Sequence, residues 1–464
     1  MAKGNSTASG WLVAALVVVI FLNSTGLWNP WPGVWDWINT SATLSDPPPR
    51  WQVRLGGHPK SVMAADGVVI VEQRESVEGR SLDSGVRLWT APSDWAAVAG
   101  PAGRTVVVTG KLLAKGYSVL DPRTGGQIRH DDRALAVWTY TNAMIDVWCH
   151  APQDCILTAR EPASGEELWN VQLPGVGFVL FADNPELTAA RPLADEETPL
   201  GGPGRMPTLL GFPVDGRIQV VDTVDGRLVG EIKPSRHEKI LVMDGRVVHS
   251  EALPVSAGCE LHLVGRDAVT GRVVWRKDGY NLGTVSGAAC DQTKDARGAG
   301  SALLATRPDG RQALIDASDG RELLVAPADA KIIASDGIHA IVRSPDGRTL
   351  TAYLLGEPQP LWRRRVDAKA TAAVTRTRIL IFDHNPDRLF VLDPAGKVIL
   401  ESHSDAQALA LVPQGVLIGD RRDLGLLQFP GTQITEPVAP VTPQTSQSGS
   451  SSQQPVKPHY PKEG

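Results

Sequence analysis

The residues with most chemical potential in this chain are few and scattered. Asp383, His384 and Asn385 stand together behind the apolar run Ile379 to Phe382, and a carboxylate beside an imidazole is a simple proton shuttle. Asn385, Pro386 and Asp387 follow at once, and such a string makes a turn first. Arg363, Arg364 and Arg365 follow Trp362 and offer guanidiniums to an anion, but alternate strand residues point to opposite faces. They are read as a solvated sheet edge. His130, His249, His262 and His339 share no spacing and are read as surface or packing residues. Nucleophile-elbow, P-loop and HExxH patterns are absent, so no catalytic residue is assigned.

Cys149, Cys155, Cys259 and Cys290 make an even set. In an exported protein such a set is expected to form disulfides. Cys149 and Cys155 flank His150 to Asp154, a hairpin loop that a bond would clamp, while Cys259 and Cys290 lie on adjacent repeat units and would bridge them. Zinc needs clustered Cys or His, which this spacing does not supply, so no metal site is expected.

The elements that must position these groups recur. The fullest statement runs from Val264 to Trp275: an apolar run ends at Asp267, Gly271 closes a turn, and a second apolar run carries Trp275. Asp accepts hydrogen bonds from turn N–H groups, Gly takes positive φ, and the two runs pair as a hairpin whose Trp buries against a neighbouring sheet. Weaker copies hold Asp83, Gly85 and Trp89; Asp121 and Gly125; Gly165 and Trp169; Asp222 and Gly226; Asp316 and Gly320; a unit ending at Trp362; and Asp393 with Gly396. Their spacing of roughly 35 to 60 residues predicts stacked four-stranded blades around an axis.

This phrase resembles the repeat of the pyrroloquinoline-quinone (PQQ)-type β-propeller family, which includes quinoprotein dehydrogenases and non-enzymatic outer-membrane assembly propellers. The resemblance covers about residues 50 to 430 and implies an all-β propeller of about eight four-stranded blades, with seven to nine compatible with the spacing. Trp51 to Leu55 reads as an outer strand without inner partners, and the last unit has inner strands but no outer one; pairing the two would close the ring. The enzyme branch implies PQQ in the funnel with calcium, a catalytic Asp and adjacent cysteines. No two cysteines here are adjacent, and no calcium-ligand set maps onto the chain. No cofactor is expected, and PQQ with calcium is the alternative.

The remaining segments set location. The net charge of −5 carries no basic excess, so nucleic acid is not an expected partner. Trp11 to Leu22 is uninterruptedly apolar with Lys3 before it and Arg50 the next basic residue after it. Residues 10–28 are read as a transmembrane anchor, in preference to a cleaved signal, with 1–9 cytoplasmic and the rest extracytoplasmic. Residues 29–50, rich in Trp and Pro, form an expected stiff linker ending in Pro47 to Pro49. The insertion 183–206 is read as a solvated excursion, with a binding lid as the alternative, and 431–464 as a disordered Pro/Ser/Gln-rich tail. The resulting expectation is a monomeric, membrane-anchored bacterial propeller at 51–430 that binds or scaffolds an envelope protein or glycan without catalysis. A divergent PQQ-dependent dehydrogenase or ligand sensor is the rival.

Overall fold

The computed structural model describes residues 43–175, 187, 189–194, 202–256, 258–287 and 289–431. The anchor at 10–28, most of the linker and the tail beyond 431 lie outside them. Among the described residues no helix is long and apolar enough to cross a membrane.

Among the described residues nine blade sheets follow one another, besides one two-stranded hairpin. Blades 1, 2 and 3 occupy 61–92, 95–131 and 136–173; blades 4, 5 and 6 occupy 209–232, 238–278 and 297–325; blades 7 and 8 occupy 331–365 and 371–403; and 407–428 begins blade 9. Each full blade is an antiparallel meander of strands A to D, and the A strands of blades 9, 1, 2 and 3 touch in series, as do those of blades 7 and 8. Strand A is therefore innermost. The described blades number nine rather than the eight expected, because the A and B pairs legible in the sequence belong to separate blades; blade 4 shows three strands among the described residues.

The ring is sealed by Trp51–Arg54, which pairs antiparallel with Asp423–Gln428 and supplies strand D of blade 9. Nine apolar clusters each join two consecutive blades, and the ninth joins blade 9 to blade 1 through Trp51, Leu55, Val62, Val69 and Leu417. B strands such as Val68–Glu72 are continuous β-branched runs because both faces are covered. Burying each such side chain contributes about 1.5–3 kcal/mol.

At six of the nine seams a turn between strands C and D locks a blade to the one before it. In blade 2, Asp121 Oδ1 accepts from the N–H groups of Arg123 and Thr124, and Gly125 takes φ 67°. The Trp89 indole of blade 1 lies flat on Gly125 and donates to Pro122 O at 2.8 Å. Trp51, Trp169, Trp275 and Trp362 repeat the arrangement, donating to Leu82, Thr223, Ala317 and Pro394 carbonyls while packing on Gly85, Gly226, Gly320 and Gly396. Arg129 stands in for a tryptophan at the blade 2–3 seam, bonding Pro162 O above Gly165.

Three expectations change. Residues 44–50 do not stand free as a spacer: Leu44 is buried, Asp46 and His403 exchange backbone hydrogen bonds at 2.9 Å, and Pro49 packs near Gly425. The apolar and backbone groups there find partners on blades 8 and 9, which a polyproline reading overlooks. The insertion, in its described part, is no solvated excursion, as its geometry below shows. Cys259–Cys290 joins the long B–C hairpin of blade 5, Arg246–Val255 with Gly258–Asp267, to a small hairpin in the connection to blade 6, rather than blade to blade. Cys149–Cys155 closes across paired strands of blade 3.

Candidate functional site

Among the described residues blade 4 has three strands and blade 6 has five. Arg191–Pro192 pairs parallel with Arg297–Ala299, the innermost strand of blade 6. It thus runs in the direction of an A strand, on the inner edge of blade 6. Leu193, 1% exposed, enters the apolar seam of blades 6 and 7, and Ser335 N–H donates to its carbonyl at 2.9 Å. Gly298 permits this approach, since a Cβ there would lie 3.1 Å from Ala190 Cβ and 2.5 Å from Ala302 O. Leu187 packs at the blade 3–4 seam and Ala190 at the blade 5–6 seam, so the segment passes along neighbouring blades.

Two cavities flank this segment, and Leu187 and Ala189 line both. The larger, about 800 Å³, is bordered by Asn142, Met206, Asp244, Ser301, Asp336 and Arg376, mostly from A–B turns. Burial, with Asp316 nearby, raises the Asp244 carboxyl pKa above the usual range. Asp336 is committed to its own turn, accepting from the N–H groups of Ile338 and His339 at 2.8 and 2.6 Å. The smaller cavity, about 290 Å³, has Lys239 and Arg191 on Asp295 at 2.7 and 2.8 Å. Lys239 holds the Asp295 carboxyl below the usual range, and the three charges largely satisfy one another.

The remaining candidates are not brought together. Asp383 accepts from Asp367 N–H at 2.7 Å, and His384 lies 3.5 Å from Asp387 in an exposed hairpin turn. Arg363 to Arg365 lie on the outer strand of blade 7, where Arg364 stacks 3.9 Å from the Phe390 ring centroid. His130 meets Ser118, and His339 lies 3.4 Å from Asp336. His249 and His262 do share blade 5, bonded to Glu238 at 2.5 Å and Asp278 at 2.7 Å.

The Glu238 pair yields a pH prediction. The His249 hydrogen bond lowers the Glu238 carboxyl pKa below its usual value, against partial burial. A depressed carboxylate contributes stability that is fully present above its unfolded value, about 4.3, and is lost as pH falls through the folded value. His249→Gln is therefore expected to flatten the fall in urea midpoint between pH 6 and pH 3; an unchanged fall would show that the pair contributes nothing.

Sequence reasoning missed one buried group. Asp146 of blade 3 accepts from Tyr117 Oη at 2.8 Å and from Arg160 Nε at 3.0 Å. Burial raises its pKa despite the pull of Arg160, and burial raises that of Tyr117 too. The signal was an acid inside the apolar run Ala143 to Trp148. The triad pins the blade 2–3 seam.

The family described as "Outer membrane protein assembly factor BamB" matches residues 260–411. Those residues are PQQ-type propeller repeats. No curated protein matches this chain. BamB from Moraxella catarrhalis is similar in structure at 15% identity and TM-score 0.36, covering 83% of this chain and 98% of that one. Quinohemoprotein alcohol dehydrogenase ADHIIG from Pseudomonas putida HK5 is similar at 12% identity and TM-score 0.39, covering 84% and 77%. Saccharomyces cerevisiae Sqt1 is similar at 10% identity and TM-score 0.39, covering 82% and 98%. At such identities these likenesses add nothing to what the sheets themselves show. Among the described residues no group of three His, Cys, Asp or Glu is placed to hold a metal ion. Two disulfides suit a protein that folds outside the reducing cytosol.

Proposed function

We propose that this chain is a non-catalytic binding and scaffolding module, an extracytoplasmic propeller tethered to the membrane by residues 10–28. One observation carries the reading: Arg191–Pro192 adds an extra strand to the inner edge of blade 6, taking up space on the side of the ring where a quinone would need a funnel. The family description, an assembly factor, supports the same class. The partner is an envelope protein or glycan met by the loops of the disc, with the chain itself a monomer.

The test uses the full chain in detergent with PQQ and calcium ion. No saturable absorbance change, no shift in melting temperature and no dye-linked oxidation of alcohols or sugars are expected. Saturable binding with turnover would overturn the scaffold reading. The cavity of about 800 Å³ favours a second reading, a ligand sensor, because pockets of about 300–1,000 Å³ suit small molecules. A small molecule that displaces no partner yet raises the melting temperature would select it.

A further inference from the structure

The most exposed large apolar side chain among the described residues is Leu113, 81% exposed, in the B–C turn of blade 2. That turn joins Val106–Gly110 to Tyr117–Leu120 and reads Lys111, Leu112, Leu113, Ala114, Lys115, all five exposed. Leu112 N–H donates to Asp94 Oδ2 at 2.9 Å, which ties down the base of the turn, and Leu113 takes φ 60°, a conformation that favours glycine. The fold thus holds a bulky apolar residue outward where a small one would sit more easily. No carboxylate among the described residues pairs with Lys111 or Lys115. Strand direction puts this turn on the face of the disc where the chain enters it, because D–A connections and B–C turns share one face, and A–B and C–D turns the other. Asp46 bonds His403, the last residue of strand D of blade 8, and the chain then climbs to Arg50, which donates to Asp83 O in a C–D turn. Residue 43 therefore lies on the D–A and B–C face, and only residues 29–42 separate it from the apolar segment 10–28. The same face presents Leu253 and Val255, on the B–C hairpin of blade 5 that Cys259–Cys290 braces. On the opposite face the exposed apolar residues stand among acids: Val224 between Asp222 and Asp225, and Val269 two residues after Asp267.

We infer that the Lys111 to Lys115 turn docks on an anionic lipid surface, with Leu112 and Leu113 in the headgroup layer and the two ammonium groups on lipid phosphates. A short apolar loop binds a bilayer only weakly by itself, and a second signal makes such contacts stable. Tethering through 10–28 supplies that signal, because it raises the effective concentration of the turn at the surface. Lysines beside leucines select anionic lipid: each ammonium is attracted within a Debye length of the surface while its stem lies along the apolar layer. The disc then turns its A–B and C–D face, with the cavity of about 800 Å³, away from the membrane and toward a partner.

The inference rests on the tether of the proposed function, and its test reads the two apart. All four cysteines are bonded, so Leu113→Cys adds a single free thiol, and Val224→Cys does the same on the far face as a control. Each full-chain variant carries a fluorophore on that thiol and is reconstituted into vesicles of phosphatidylcholine and phosphatidylglycerol containing a headgroup spin-labelled lipid as quencher. Quenching at 113 is expected to exceed that at 224 at least about threefold, and to fall at least about threefold in pure phosphatidylcholine or when Lys111→Glu and Lys115→Glu are added to the Leu113→Cys chain. All of these positions are exposed, so circular dichroism should not change. Equal quenching at the two positions, or quenching indifferent to the lysines and to lipid charge, would sink the inference. Flotation at alkaline pH reads the tether. A chain that floats with the vesicles while its 113 label stays unquenched loses the docking turn and keeps the tether. One that neither floats nor is quenched loses both, and one quenched at 113 at neutral pH without floating at alkaline pH keeps the docking turn alone.

Discussion

Replacing Trp51 by alanine is expected to destabilise the entire disc by about 3–5 kcal/mol, the usual cost of truncating a buried indole. Trp51 is 8% exposed, donates to Leu82 O at 2.8 Å and packs on Gly85 of blade 1, while its own strand completes blade 9. Truncation therefore opens a cavity at the one seam that covalent chain order does not hold together. Trp51→Phe loses the same hydrogen bond but keeps much of the ring, so it should cost less than Trp51→Ala, with about 1 kcal/mol of its own loss owed to the bond. Urea unfolding followed by far-UV circular dichroism reads both. A loss below about 1 kcal/mol for Trp51→Ala would mean that closure contributes little and that the blades hold by neighbour contacts alone.

Removing the Cys259–Cys290 bond, as Cys259→Ser with Cys290→Ser, is expected to cost about 3–4 kcal/mol in the loop-entropy treatment of a 31-residue separation. The Cys149–Cys155 bond spans only 6 residues and should cost about 2 kcal/mol. The ordering matters more than either value, because both bonds cross-link strands or hairpins already paired in the fold. Thermal unfolding of the two double variants in parallel tests it. If the short bond proved the more stabilising, the unfolded-state account would fail and native packing around Cys155, which is fully buried, would have to carry the effect.

The sequence made the repeat legible because its turn chemistry is local. Asp121 and Asp267 cap their own turns, Gly125 and Gly271 adopt φ near 67° and 68°, and each signal sits within five residues. Ring closure was legible too, since Trp51 to Leu55 lacked inner strands and Leu424 to Phe429 lacked an outer one. The ninth blade was lost to a preference for rings of seven or eight blades, although the strand pairs themselves were countable. What could not be read was the extra inner strand of blade 6. Arg191–Pro192 is two residues long, contains a proline and has no periodicity, and its partner Arg297–Ala299 lies more than a hundred residues on. Only the spacing of Leu187 and Leu193 hinted at burial, and nothing in it named blade 6.

The extra inner strand of blade 6 also sets a timetable for a chain emerging from synthesis. Arg191–Pro192 has no strand to pair with until residues 297–299 arrive. Trp51–Arg54 waits longer still, for residues 423–428. Two naked sheet edges therefore coexist through most of translation, the condition in which strands pair with the wrong neighbour, and export in an unfolded form would postpone that hazard until the whole chain is available.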